Sequence, residues 1–258
     1  MNIAECIQLK LERVTQEQEI RILLACESGS RAWGFASPDS DYDVRLLYSH
    51  SLDWYLSLKE QRDSFESLDD VTTIDLAGWE LRKALRLFGN SNPVIYEWLL
   101  SPIVYKQEEQ FVGKLRALMP QYFNPRKAMH HYLGTARGVL KSYWDGERIG
   151  IKKAFYVLRP LAAAAWIRDF RHQPPTDFLT LLQQSPSPEI QALRSTIEEL
   201  IHHKSGLMEK HPVVPPKALA DFFNQGLSAL EEQAAQLPTL EAPDYLPLER
   251  IFREFLKS

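Results

Sequence analysis

The sequence predicts an α+β chain: a small mixed sheet with helices on one side over residues 1–110, then an all-α helical bundle over residues 111–258. Three observations carry this reading. Apolar runs of strand length fall only before about residue 106. From Gln107 onward apolar positions recur at helical spacing between proline and glycine breaks, which sets the boundary within 106–124. Charge divides the same way: five acids face one base, Arg62, between Gln61 and Asp75, while nine lysines and arginines face two acids between Arg126 and Arg168.

Taken in order, Ile3, Ile7, Leu9, Leu11 and Val14 stand among charges and predict an amphipathic helix over 2–18. Arg21 to Glu27 is an apolar run of strand length, ended by Gly29-Ser30, after which Arg31-Ala32-Trp33 allows a short helix. Ser37-Pro38-Asp39-Ser40 is a turn cluster, and Asp41 to Tyr48 is the second strand. A short helix is expected over Leu52 to Leu58, and strands over 61–68 and 70–76, the latter alternating and β-branched. Gly78 to Phe88 takes a helical period. Pro93 opens the next helix, through Leu100, and Ile103-Val104-Tyr105 is a last strand. Helical patterns then cover about 107–118, 125–144, 150–171, 187–208, 217–235 and 246–257, with a kink expected at Pro160.

The bulk numbers exclude several classes. At 258 residues the chain can bury a large core, and 45% hydrophobic with 25% charged residues is ordinary for a globular protein. No apolar run approaches the ~20 residues of a membrane span, and the N-terminal stretch, which carries acids, does not read as a signal peptide. Cys6 and Cys26 provide neither a disulfide framework nor zinc spacing, so a cytoplasmic location is expected. The adjacent pairs His130-His131 and His202-His203 also lack ligand spacing. A net charge of −4 argues against an all-over basic surface, but the basic segment 126–168 leaves nucleic acid open.

The chemistry gathers between Cys26 and Tyr48. Asp41 and Asp43, two apart on a strand, project from one face, where on a helix they would diverge by ~200°. Arg45 shares that face, to balance their charge or touch a phosphate. Asp75, on its own alternating strand, is the candidate third carboxylate. Together the three suit a two-ion magnesium site, since a bridging carboxylate cluster can hold ions ~3.5–4 Å apart. Gly29-Ser30 lies where a strand meets a helix start. There free amides favour an anion, glycine permits close approach and Ser30 adds a hydroxyl, so the phosphates of an NTP are the expected guest. Arg31 follows in the same turn. Lys152, Tyr156 and Arg159, at spacings of four and three, share a helix face that reads as a nucleotide clamp.

Gly29-Ser30, ten residues, Asp41-Tyr42-Asp43 and the later Asp75 together resemble the polymerase-β-like nucleotidyltransferase superfamily. The segments ESGSRAWGFASPDSDYDVR, GWELRKAL, SNPVIYEWLLSPIVY and KKAFYVLRPLAAAAWI are similar, more narrowly, to stand-alone bacterial and phage nucleotidyltransferases of the RNA-repair-pathway type. The resemblance spans about residues 20–170. It implies that Asp41, Asp43 and Asp75 bind two Mg²⁺ ions, with Mn²⁺ as a substitute, and that Gly29 and Ser30 hold the triphosphate. It implies transfer of NMP from an NTP to a hydroxyl acceptor with release of pyrophosphate. The acceptor stays open between an RNA end, a protein and a small molecule.

Plainer readings stand beside these. An isolated Asp-x-Asp is common in surface turns, and Asp39 reads as a turn residue. Asp69 and Asp70 rival Asp75. The basic helix face could simply be solvated, Trp33, Trp79 and Trp98 suit a core, and Cys26 reads as buried. A nucleotide-binding protein without catalysis is the competing function. A two-metal nuclease is disfavoured because it needs no triphosphate cradle.

Overall fold

In a computed structural model, residues 2–69, 73–204 and 212–257 are described. The first helix, α1 (Ile3–Glu17), starts at a capping box in which the Asn2 side chain accepts the Glu5 amide and the Glu5 carboxylate accepts the Asn2 amide. Its apolar stripe, Ile7, Leu11 and Val14, is buried. Strand β1 (Arg21–Glu27) leads into a four-residue helix, α2 (Gly29–Ala32), and then into β2 (Tyr42–Ser49). A short helix α3 (Leu52–Tyr55) precedes β3 (Ser64–Asp69) and β4 (Ile74–Glu80). Asp70, Val71 and Thr72, expected to begin that last strand, lie outside the described residues.

Helices α4 (Leu81–Gly89) and α5 (Pro93–Leu99) follow, and β5 (Val104–Gln107) closes the sheet. Strand order is β3-β4-β2-β1-β5, with only β2 and β4 parallel. The sheet is therefore mixed, as expected, but it is covered on both faces rather than one. Val44, Leu46, Ile74 and Leu76 pack with Ile7, Leu11 and Val14 of α1. Leu23, Leu24 and Leu47 join the larger core built with the other helices. Alternation along β2 thus sends Asp43, Arg45 and Leu47 to the face opposite α1.

One boundary differs from the sequence reading. Gly78, Trp79 and Glu80 continue β4 instead of opening a helix, because the parallel partner β2 pairs as far as Tyr48 with Glu80. Gly78 suits this place because a Cβ there would lie 3.0 Å from ring carbons of both Phe65 and Tyr48. Helix α4 starts after Glu80, whose buried carboxylate accepts the amides of Arg82 (2.6 Å) and Lys83 (3.1 Å).

The second half is largely helical. Helix α6 (Glu109–Tyr122) runs past the expected stop at Met119-Pro120, and α7 (Pro125–Tyr143) is capped by Asn124. A two-residue strand β6 (Ile149–Gly150) precedes α8 (Ile151–Phe170), which continues through Pro160. Sequence periodicity missed α9 (Phe178–Gln184), a helix of two turns. Helix α10 (Pro188–Lys204) follows, and the expected extension over 205–208 lies outside the described residues. Strand β7 (Pro212–Val213) pairs with β6, so this half is not purely helical. Helix α11 (Lys217–Asp221), a π-helical turn (Phe222–Gly226) and α12 (Leu227–Gln236) run on without a break, and α13 (Leu246–Lys257) ends the chain.

Helix α8 is buried on every side between Val157 and Ile167, the pattern of a central core helix. Each of Phe155, Leu158 and Leu161 is removed from water, worth roughly 1.5–3 kcal/mol apiece. One apolar core joins Leu23 and Leu47 of the sheet to α4, α7, α8 and α13, so it crosses residue 110 without a break. Among the described residues no helix is long and apolar enough to cross a membrane.

Candidate active site

Parallel pairing of β2 with β4 sets Asp43 directly opposite Asp75. Two carboxylates in register on one face repel unless a cation stands between them. Arg45 supplies it. Its Nη2 lies 2.8 Å from Asp43 Oδ1 and 2.8 Å from Asp75 Oδ2, and its Nη1 donates to the Asp75 carbonyl at 2.9 Å. Of the two roles foreseen for Arg45, charge balance is the one its contacts fill. Burial pushes the Asp43 carboxyl above its usual range, and Asp75 and Asp41 add to that, while Arg45 and Lys152 oppose it. Asp41 and Lys152 are therefore close enough for Asp43 to feel their charge.

Asp41 itself is exposed and lies one residue before β2, in the loop that leads into the strand. The loop that carries it is held by Arg31, whose Nε donates to the Asp41 carbonyl (3.1 Å) and Nη2 to the Ser40 carbonyl (2.7 Å). The Arg31 guanidinium also lies 3.7 Å over the Tyr42 ring. The Arg31 side chain, counted from sequence with the nucleotide-binding turn, is thus engaged by its own loop. Among the described residues no three acids, histidines or cysteines converge as a ready metal site. Asp43 and Asp75 do meet at one cation-sized position, with Nη2 standing in it.

The turn between β1 and α2 is built around Asp43. Gly29 has φ +60°, and the Ser28 amide donates to the Asp43 carbonyl at 2.8 Å. Ser30 is buried and its hydroxyl donates to Ser40 Oγ (3.2 Å), which in turn accepts the Ser37 amide. The first amides of α2 have no partner within the helix, as at any helix start.

Glu27, unremarked in the sequence, is 1% exposed at the end of β1. Its Oε1 accepts the Asp43 amide at 2.7 Å, and its Oε2 accepts the Tyr105 hydroxyl. Burial raises its pKa, against the opposing effect of these two hydrogen bonds. It ties the start of β2 to β1 and β5 at the residue that carries the central carboxylate. Cys26 beside it is a free, buried thiol.

From the helical half, Lys152 and Tyr156 of α8 are half-buried near this cluster, with the Tyr156 ring edge-on to Trp33 at 5.2 Å. Arg159, which also packs on Trp33, is buried more deeply. Its side chain is 1% exposed, ion-paired with Glu97 (2.7 Å), bonded to the Thr176 carbonyl and stacked 4.5 Å over Trp33. Glu97 also accepts the hydroxyl of Tyr132 (2.6 Å) and the indole N–H of Trp33 (3.4 Å). The sequence reading placed Arg159 in the clamp; it is instead the centre of a buried network holding Trp33, next to the glycine turn. Trp79 and Trp98 stack on each other at 4.0 Å, as expected of core residues.

A family described as RlaP, RNA repair pathway DNA polymerase beta family, matches residues 3–254. A Bacillus subtilis (strain 168) protein named uncharacterized protein YcgL is 44% identical over 192 residues, which covers 74% of this chain and 73% of that one. The crystal structure of a nucleotidyltransferase-like protein from Exiguobacterium sibiricum 255-15 aligns with 99% of this chain and 80% of its own. Identity there is 11% and the TM-score 0.34, too loose a likeness to bear on the site.

Proposed function

The chain belongs to the RlaP family, the RNA repair pathway DNA polymerase beta family, and we propose that it is a divalent-metal-dependent nucleotidyltransferase. It moves NMP from an NTP to a hydroxyl acceptor and releases pyrophosphate. The observation that carries this reading is the register of Asp43 with Asp75, which aims two carboxylates at a single cation position beside a glycine turn. An all-oxygen donor pair facing one cation fits magnesium or manganese. Asp43 and Asp75 would hold the ion, with Asp41 adding a third carboxylate. When bound, the metal neutralises phosphate charge and activates the acceptor hydroxyl.

The chain's own groups do the rest. The amides of the turn at Gly29, Ser30 and Arg31 receive phosphate oxygens. Lys152, whose charge reaches Asp43, adds a positive group from α8, and Tyr156 lines the same side. Asp75, on the strand paired with Asp43, is the carboxylate assigned to help take the acceptor proton. The acceptor oxygen bonds to the α-phosphorus as the bond to the pyrophosphate breaks, in line.

An RNA end is the acceptor the family description favours. Lys127, Lys141 and Arg148 are exposed cations of the basic segment that suit a phosphate backbone. Arg137 and Arg168 are already ion-paired, with Glu231 and with Asp169 and Glu189. The test is incubation with each α-labelled NTP, Mg²⁺ and separate cellular RNA, protein and metabolite fractions. Ribonuclease-sensitive label in RNA supports the reading. Label in another fraction changes the acceptor, and NTP binding without any transfer makes the protein a binder rather than an enzyme.

A further inference from the structure

The cation between Asp43 and Asp75 has a consequence for metal binding. Nη2 of Arg45 touches the nearest oxygen of each carboxylate at 2.8 Å, while Nη1 is held by the carbonyls of Asp75 (2.9 Å) and Val44 (3.2 Å). The side chain is 17% exposed and is braced on the same strand as Asp43. A divalent ion ligated by those two oxygens at ~2.1 Å would need the space that Nη2 fills. The two cations are mutually exclusive at that point.

We propose that Arg45 is a built-in competitor for the metal, a tethered cation that neutralises the Asp43–Asp75 pair until a divalent ion displaces it. This rests on the nucleotidyltransferase reading and adds a regulation of the same site. Without Arg45, two facing carboxylates would repel across the parallel strands and weaken the sheet at its catalytic edge. With it, the pair is stable without metal, and every binding event must first break two charge-assisted hydrogen bonds. Arg45 therefore lowers the apparent metal affinity while it protects the metal-free fold.

The test is Mn²⁺ titration of the full chain followed by electron paramagnetic resonance, without nucleotide, in wild type, Arg45→Gln, Arg45→Lys and Asp43→Asn. Arg45→Gln is expected to bind Mn²⁺ about tenfold more tightly than wild type or better, the size of one exchanged charge contact in a partly exposed site. Arg45→Lys keeps a competing cation and stays near wild type, while Asp43→Asn loses the site. In thermal melts, Arg45→Gln is expected to melt below wild type in EDTA and to gain more on adding Mg²⁺.

Asp43-dependent binding that is unchanged or weaker in Arg45→Gln overturns the competitor role and leaves the enzyme reading intact. Absence of Asp43-dependent Mn²⁺ binding in both wild type and Arg45→Gln overturns both.

Discussion

Oδ2 of Asp43 stands where a Cβ on residue 29 would be, with 2.1 Å between the two positions. The glycine is thus required twice, by its φ of +60° and by the carboxylate lying against its Cα. Sequence reasoning gave Gly29 the task of admitting a phosphate. Its contact with Asp43 is the firmer constraint, and it makes the turn and the carboxylate one unit.

Gly29→Ala is accordingly expected to cost about 1–3 kcal/mol in urea unfolding, from backbone strain and displacement of Asp43. Metal binding should fall with it. Ser30→Ala, which removes only a hydroxyl bonded to Ser40, should cost about 1 kcal/mol and leave metal binding in place.

Glu27 gives a pH-dependent test. Its folded pKa is raised above 4.5, chiefly by burial, so the folded state holds this proton more tightly than the unfolded one. That contribution is fully present below the unfolded value and is lost as pH rises through the raised folded value. Glu27→Gln can still accept the Asp43 amide and donate to the Tyr105 oxygen, and it carries no charge. The melting temperature of Glu27→Gln relative to wild type should therefore increase as pH is raised from 4 toward neutrality. A difference that stays flat, or falls, would contradict the assignment.

Arg159 and Glu97 form a buried pair around Trp33, and removing one partner strands the other's charge. Arg159→Ala is expected to destabilise by about 3–5 kcal/mol in chemical denaturation. The double variant Arg159→Met with Glu97→Gln should lose clearly less than the sum of the single changes. Full additivity would show that the two residues do not act as a pair.

Much of this architecture was legible in the chain itself. The β1–turn–β2 unit announces itself through its apolar runs and Gly29, and the alternation around Asp75 placed it on a strand beside the site. The strand expected from Asp41 begins one residue later, at Tyr42, because the Asp41 carbonyl is held in the preceding loop by Arg31. Glu27 was invisible because a charged residue ending an apolar run looks like a strand terminus meeting water. Only pairing with β2 and β5 reveals that it is enclosed. Helical spacing did place Arg159 on the face of Lys152 and Tyr156. The apolar sequence around it, Val157-Leu158 and Leu161 to Ile167, was the available signal that this part of the helix is buried on all sides. Gly78 to Glu80 followed a helical period, and tertiary pairing with β2 overrode it.

The central claim is that Asp43, in register with Asp75, holds the metal for chemistry on an NTP. Pyrophosphate release from NTP in the presence of Mg²⁺ and RNA, in wild type and Asp43→Asn, tests it most directly. Wild type should release pyrophosphate only with the divalent ion. Asp43→Asn, folded by circular dichroism, should be slower by about a thousandfold or more, as when a principal metal ligand is lost. Equal release by the two proteins, or release that survives EDTA, would contradict the account.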